Sequence, residues 1–317
     1  MTTLILTHAA CLGHDPGPGH PEAPARLEAV LDAVPGNPAT SGVTLGEAPE
    51  APLEALARVH RPAMLEAVFG AIPDHGYGYG MLDRDTIVSP GSRAAALRAV
   101  GAGLAAVDAV VTGAADNAFC AVRPPGHHAT RDRAMGFCLF NTAAIAAFHA
   151  RATHGLSRVA VVDFDVHHGN GTEDTFRGQA GLFYGSSHEF PNYPGTGRAS
   201  EDGACPIVNM PLPPMTQGAA FRAAWSEGIL PALAAFKAEL IIVSAGFDGH
   251  RRDPLSSMLL ETADFVWLTH ELRRRAEADC GGRLVSVLEG GYDLEALAAS
   301  TRAHVAALAG VDGDGAA

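Results

Sequence analysis

Four hydrophobic, strand-like runs in this chain each end in histidine, aspartate or tyrosine, and that recurrence restricts the fold more than any other feature. Arg158-Val-Ala-Val-Val162 runs into Asp163, Asp165 and His167, followed by His168 and a Gly-Asn-Gly turn. The run from Glu239 closes on Asp248, Ala118–Val122 leads into Arg123-Pro-Pro-Gly-His-His128, and Leu284–Leu288 leads into Glu289-Gly-Gly-Tyr292. In open α/β sheets, chemistry gathers just beyond the carboxyl ends of the strands. Asp163, Asp165 and His167 are spaced two apart, so their side chains share one face while the chain stays extended. A carboxylate and an imidazole presented side by side make half of a metal site, and buried charges require partners or a metal.

Helical patterns lie between these runs. Leu97, Val100, Leu104, Val107 and Val111 recur at three and four spacing, with Ser89 as the expected cap and Pro90 in the first turn. Asn141 to about His154, Gly218 to about Ala238, Thr262 to about Ala278 and Asp293 to about Ala309 read similarly. Such alternation predicts a single α/β domain over residues 1–317, with a central, mainly parallel sheet covered by helices on both faces. His149, His154, His270 and His304 fall in or near the helices and read as surface or satisfied core histidines. His188, near a strand end, is a more open case.

Composition narrows the partners. A net charge of −13 argues against nucleic acid, because phosphate binding needs concentrated Lys and Arg. The five cysteines, Cys11, Cys120, Cys138, Cys205 and Cys280, form no CxxC pair, which argues against a disulfide framework and a thiolate zinc site. The N-terminus reads as a short strand, too brief and uncharged for a secretory signal, and no apolar run is expected to span a membrane. The expected compartment is the cytoplasm.

The chain resembles the zinc-dependent histone deacetylases and their bacterial relatives, including acetylpolyamine amidohydrolases, within the arginase–deacetylase superfamily. The likeness rests on His20-Pro-Glu-Ala-Pro-Ala-Arg26, Arg123-Pro-Pro-Gly-His-His128, Gly136-Phe137 and Asp163-Phe-Asp-Val-His-His-Gly-Asn170. It continues through Tyr193-Pro-Gly-Thr-Gly197, Ser244-Ala-Gly-Phe-Asp248, Asp253-Pro-Leu255 and Glu289-Gly-Gly-Tyr292, in the family's order, from about His14 to Leu308.

The resemblance implies one catalytic Zn2+ held by Asp165, His167 and Asp248, with open positions for water and substrate. It implies His128 as general base, His127 as an electrostatic partner, Asp163 and Asn170 as the groups orienting them, and Tyr292 as oxyanion donor. Asn170 stands where some relatives carry aspartate and resembles the class II pattern. Gly136, Phe137 and Tyr193 would line the acyl channel, with Leu255 and Asp85 at its rim. A leucine at 255 gives a second ammonium group no anchor, which argues against a polyamine specialist. A structural K+ or Na+ would sit on main-chain oxygens of Asp163, Asp165 and His167 and the Ser186 hydroxyl. The implied reaction is deacetylation of an acetyl-lysine peptide or an acylated small-molecule amine, whose choice would be set by rim loops such as Ile72 to Arg84. No membrane partner is expected, and a homo-oligomer is open.

Two rival readings are weaker. A dinuclear manganese ureohydrolase needs further metal-binding acids, yet Gly249, His250 and Arg251 follow Asp248. A non-catalytic acyl-ligand-binding module is expected to have lost a zinc ligand, Tyr292 or His128, and all are present.

Overall fold

The computed structural model describes residues 1–34, 42–74, 76, 78–198, 200 and 204–311. The rim stretch 72–84 therefore includes two positions, 75 and 77, that lie outside the described residues. The strands are β1 (Thr3–Thr7), β2 (Val43–Glu47), β3 (Gly80–Met81), β4 (Ile87–Val88), β5 (Asn117–Cys120) and β6 (Val159–Asp163). They continue as β7 (Leu182–Glu189), β8 (Ile207–Leu212), β9 (Leu240–Ala245) and β10 (Leu284–Leu288). The helices are α1 (Pro24–Ala33), α2 (Leu53–Leu56), α3 (Pro62–Ala71), α4 (Ser92–Thr112) and α5 (Thr142–His154). After them come α6 (Asn170–Phe176), α7 (Gly218–Ala224), α8 (Leu230–Phe236), α9 (Thr262–Cys280) and α10 (Leu294–Leu308).

Eight strands form one sheet in the order β2-β1-β5-β10-β9-β6-β7-β8, and every pairing in it is parallel. The expected parallel α/β sheet is present. The four motif-bearing strands, β5, β10, β9 and β6, are consecutive neighbours at its centre. Their interiors are buried throughout, as continuous apolar runs covered on both faces should be. One register row sets Asp163 level with Ser244 on β9 and Ser186 on β7, so their strand ends open side by side.

Several local expectations change. Ser89 does not cap α4: Gly91 is the N-cap, and Ser89 instead donates its N–H to the Ser92 hydroxyl. The segment expected to be one helix from Gly218 is α7, a π-helical turn at Trp225–Ile229, and α8. Pro231 lies just past that turn and has no N–H to give the regular ladder. Asn141 and Asp293 do cap α5 and α10, accepting from the N–H groups of Ala144 and Ala296. The 21-residue α4 is long and apolar enough to span a membrane by length and composition, contrary to expectation, but 67% of its apolar 18-residue window is buried within the fold.

Candidate metal centre

β6 ends at Asp163, and the chain then bends rather than continuing extended. Local hydrogen bonds shape the bend: Asp163 Oδ1 accepts the Asp165 N–H at 3.1 Å, and Asp165 Oδ1 accepts the His167 N–H at 2.9 Å. Asp163 therefore serves a different neighbour from Asp165 and His167. The presumed Gly-Asn-Gly turn is the start of α6, with Asn170 as its first residue.

Asp165, His167 and Asp248 converge. His167 Nδ1 lies 3.1 Å from both Asp165 Oδ1 and Asp248 Oδ2, and all three residues are buried. One donor atom from each lies within 4.8 Å of the others. Gly246 and Gly290 make room for this cluster, since a Cβ on either would strike the Asp165 or Asp248 carboxylate. Burial, then the neighbouring Asp165, pushes the Asp248 carboxyl up to about 7. Two buried carboxylates facing each other are costly unless a cation joins them. Two oxygens and one imidazole nitrogen are a suitable donor set for a divalent ion such as zinc.

The tandem histidines lie beside this cluster with their rings 4.0 Å apart. His127 Nδ1 is 3.0 Å from Asp163 Oδ2, while His128 Nδ1 is 2.8 Å from Asn170 Oδ1. Their environments push them in opposite directions. Burial lowers the pKa of His127, but Asp165 and Asp163 outweigh it and carry that ring to about 10. Burial, with the neighbouring His127 and His167, holds His128 well below its usual range. A proton is thus favoured on His127 and disfavoured on His128.

Aromatic side chains border the pair. Tyr193 meets the His128 ring edge-on at 5.0 Å, and Phe137 meets Tyr292 edge-on at 5.8 Å. Gly136 is required between them: a Cβ there would come within 2.5 Å of His128 and 2.8 Å of Tyr193. The Tyr193 hydroxyl is buried without a hydrogen-bond partner among the described residues. Burial pushes the Tyr292 hydroxyl well above its ordinary pKa, although Arg26 pulls the other way, so this phenol remains a proton donor. Leu255 is half-buried with its N–H on Asp253 Oδ1, and Asp85 is half-buried with its carboxylate accepting from the Thr86 hydroxyl. Ser186 Oγ lies 2.9 Å from His188 Nδ1. His188 is buried between that hydroxyl and the Gly197 carbonyl, and burial followed by His168 holds it at about 3, which answers its open status as a structural histidine.

Residue-type reasoning missed the supports of Tyr292. Arg26, fully buried, donates to the carbonyls of Gly291 and Glu289 at 2.6 and 2.5 Å and lies over the Tyr292 ring at 4.8 Å. Glu22 anchors Arg26 and Arg123 together. Asp253 Oδ2 accepts the Tyr292 N–H at 2.6 Å. Glu289 accepts the N–H groups of Gly126 and His127, tying the tyrosine loop to the histidine loop. Glu22 and Arg26 stand in the His20–Arg26 motif, and an acid four residues before an arginine, just ahead of α1, was the available signal.

Comparison with known proteins agrees with this geometry. The family model described as histone deacetylase domain matches residues 20–308. A histone deacetylase-like amidohydrolase of Pseudomonas aeruginosa is 40% identical over 92% of this chain and 81% of its own length. The chloroplastic histone deacetylase 14 of Arabidopsis thaliana is 38% identical over 98% of this chain and 77% of its own. The crystal structure of the HDA15 HD domain superposes with a TM-score of 0.87 at 33% identity, covering 98% of this chain and 88% of that one. With the motifs in order, the strand-end cluster assembled and the domain matched over most of its length, the chain belongs to the histone deacetylase family.

Proposed function

We infer that the protein is a zinc-dependent amidohydrolase that removes an acetyl group from an N-acetylated amine. The observation that carries this reading is the buried Asp165–His167–Asp248 donor set lying beside two adjacent histidines, one held by Asp163 and the other by Asn170, whose surroundings shift their pKa values in opposite directions. Opposed pKa values in neighbouring groups are how acid and base roles are divided.

Asp165, His167 and Asp248 would hold the ion. When bound, it supplies Lewis-acid polarisation of the amide carbonyl and a water of lowered pKa. His128, neutral and with its Nδ1–H directed at Asn170, has its other nitrogen free to take a proton from water. The same ring then returns the proton to the departing amine. His127, cationic against Asp163, steadies the negative charge that develops nearby. Tyr292 donates its hydroxyl to the oxygen of the acyl group as charge builds there. Phe137 and Tyr193 border the approach and favour a linear alkyl chain, such as that of acetyl-lysine.

Leu255 favours a substrate with one amine over a polyamine, because it offers no charge to a second ammonium group. We also propose a monovalent cation beneath the centre, on main-chain oxygens of Asp163, Asp165 and His167 and the Ser186 hydroxyl. Its support is the register that sets Ser186 beside Asp163.

The test is acetate release from acetyl-lysine peptides and acetylated di- and polyamines, with and without a chelator. Release that disappears on chelation and favours the monoamine class is expected. No release from zinc-loaded protein, or release indifferent to chelation, contradicts the assignment.

A further inference from the structure

A second group of converging donors lies towards the opposite ends of the strands. α4 and α5 pack closely because Gly103 faces Thr142 and Ala146, and a Cβ there would come within 2.8 Å of the Thr142 side chain. The two helices end together and feed the amino ends of β5 and β6, whereas the metal centre stands at the carboxyl ends. At their far end Asp108 of α4 meets His149 and His154 of α5. Both Nε2 atoms lie 2.7 Å from the same oxygen, Asp108 Oδ1. The imidazole side chains are only 12% and 16% exposed, and Asp108 is 49% exposed, so the rings are fixed while the carboxylate faces solvent.

Two imidazole nitrogens and a carboxylate oxygen lying within 4.8 Å of one another are a zinc-type donor set. The geometry points to a second divalent-metal site, in which Nε2 of His149, Nε2 of His154 and one Asp108 oxygen bind a zinc-class ion and water completes the shell. This reading departs from the expectation that both histidines are ordinary surface or core residues. It does not depend on the deacetylase assignment.

Metal–ligand distances of about 2.0–2.2 Å in a tetrahedral site separate the donors by roughly 3.3 Å. The present 2.7 Å contacts must therefore open by roughly half an ångström or slightly more, which rotation of the half-exposed Asp108 side chain can provide. Both rings now donate Nε2–H to Asp108. To bind metal, each ring must present an unprotonated Nε2, with a proton carried on Nδ1. For His149 an acceptor is in place, since the Thr153 hydroxyl lies 3.2 Å from Nδ1. A ligand histidine is commonly oriented by such an oxygen on its other nitrogen. Arg58 opposes the change, because its Nη1 lies 3.3 Å from that same Nδ1 and can only donate. Removing the Arg58 guanidinium should tighten the site.

The test is equilibrium dialysis of the full chain against excess zinc chloride, with bound zinc counted by elemental analysis. Wild type should hold about two ions per chain, and His149→Gln/His154→Gln about one, with acetate release unchanged. Asp108→Asn keeps an acceptor for the rings and should also fall to about one. His167→Ala should lose the other ion, which separates failure of this site from failure of the catalytic one. Arg58→Gln should reach half-occupancy at several-fold lower free zinc. Equal zinc content in wild type, His149→Gln/His154→Gln and Asp108→Asn would overturn the proposal, leaving the three residues as a hydrogen-bonded staple between helices.

Discussion

At the scale of single residues, the site depends on small differences between chemically similar groups. Asn170 is a neutral acceptor where an acid would be charged, and it leaves His128 with little stabilisation as a cation. Asn170→Asp places a carboxylate against Nδ1 and raises the pKa of His128. The acid limb of the kcat/KM profile should then move up by about one pH unit or more. An unmoved limb would show that another group sets it. Tyr292→Phe should lower kcat by roughly ten- to a thousand-fold, the loss expected for one oxyanion donor, with bound zinc unchanged. Turnover equal to wild type would remove Tyr292 from its assigned role. These residues were legible in the sequence because each stands in a short local motif. The pKa split between His127 and His128 was not, because it arises from burial and from Asp165, which is distant in the chain.

At the scale of elements, the motif-bearing strands were legible one at a time from their apolar runs and polar ends. Their adjacency was not, because parallel crossovers leave no mark in local periodicity. Only the order β5-β10-β9-β6 brings the four ends together. The support of Tyr292 was hidden for the same reason: Arg26 lies 265 residues from Gly291, whose carbonyl it binds. A motif shows that an arginine is present and says nothing about what it reaches. Arg26→Met should leave the Gly291 and Glu289 carbonyls and part of Glu22 unpaired in a buried place. A loss of about 3 kcal/mol is expected, read as a lower urea midpoint at constant m-value. A midpoint equal to wild type would mean that water or rearrangement satisfies those groups. The π-helical turn at Trp225–Ile229 escaped the sequence because three-and-four spacing does not distinguish it from a regular turn.

At the scale of the whole molecule, buried neutral histidines tie acid stability to the packing. His60 donates Nδ1–H to the Thr130 carbonyl and accepts the Asn141 N–H at Nε2, joining the segment after α2 to the start of α5. Burial lowers it to about 4, and burial lowers His304 to about 3. Because the folded value lies below the unfolded one, the folded state binds fewer protons in this window. Stability is complete above about pH 6.5 and is lost as pH falls towards 4, by on the order of 3 kcal/mol for His60 alone. Urea unfolding at pH 7 and pH 4.5 should show this slope, and His60→Gln should flatten it. A slope the same in the variant as in wild type would exclude His60 as a contributor. The α/β class and parallel sheet were readable from strand–helix alternation, whereas the burial that neutralises His60 and His304 depends on the assembled core.

The measurement closest to the central claim is a titration of zinc back into chelator-stripped protein while acetate release is followed. The rate should rise from near zero and saturate as the Asp165–His167–Asp248 centre fills with one ion, and no added zinc should restore an Asp248→Ala variant. Full activity in the stripped protein, or equal restoration of Asp248→Ala, would contradict the account.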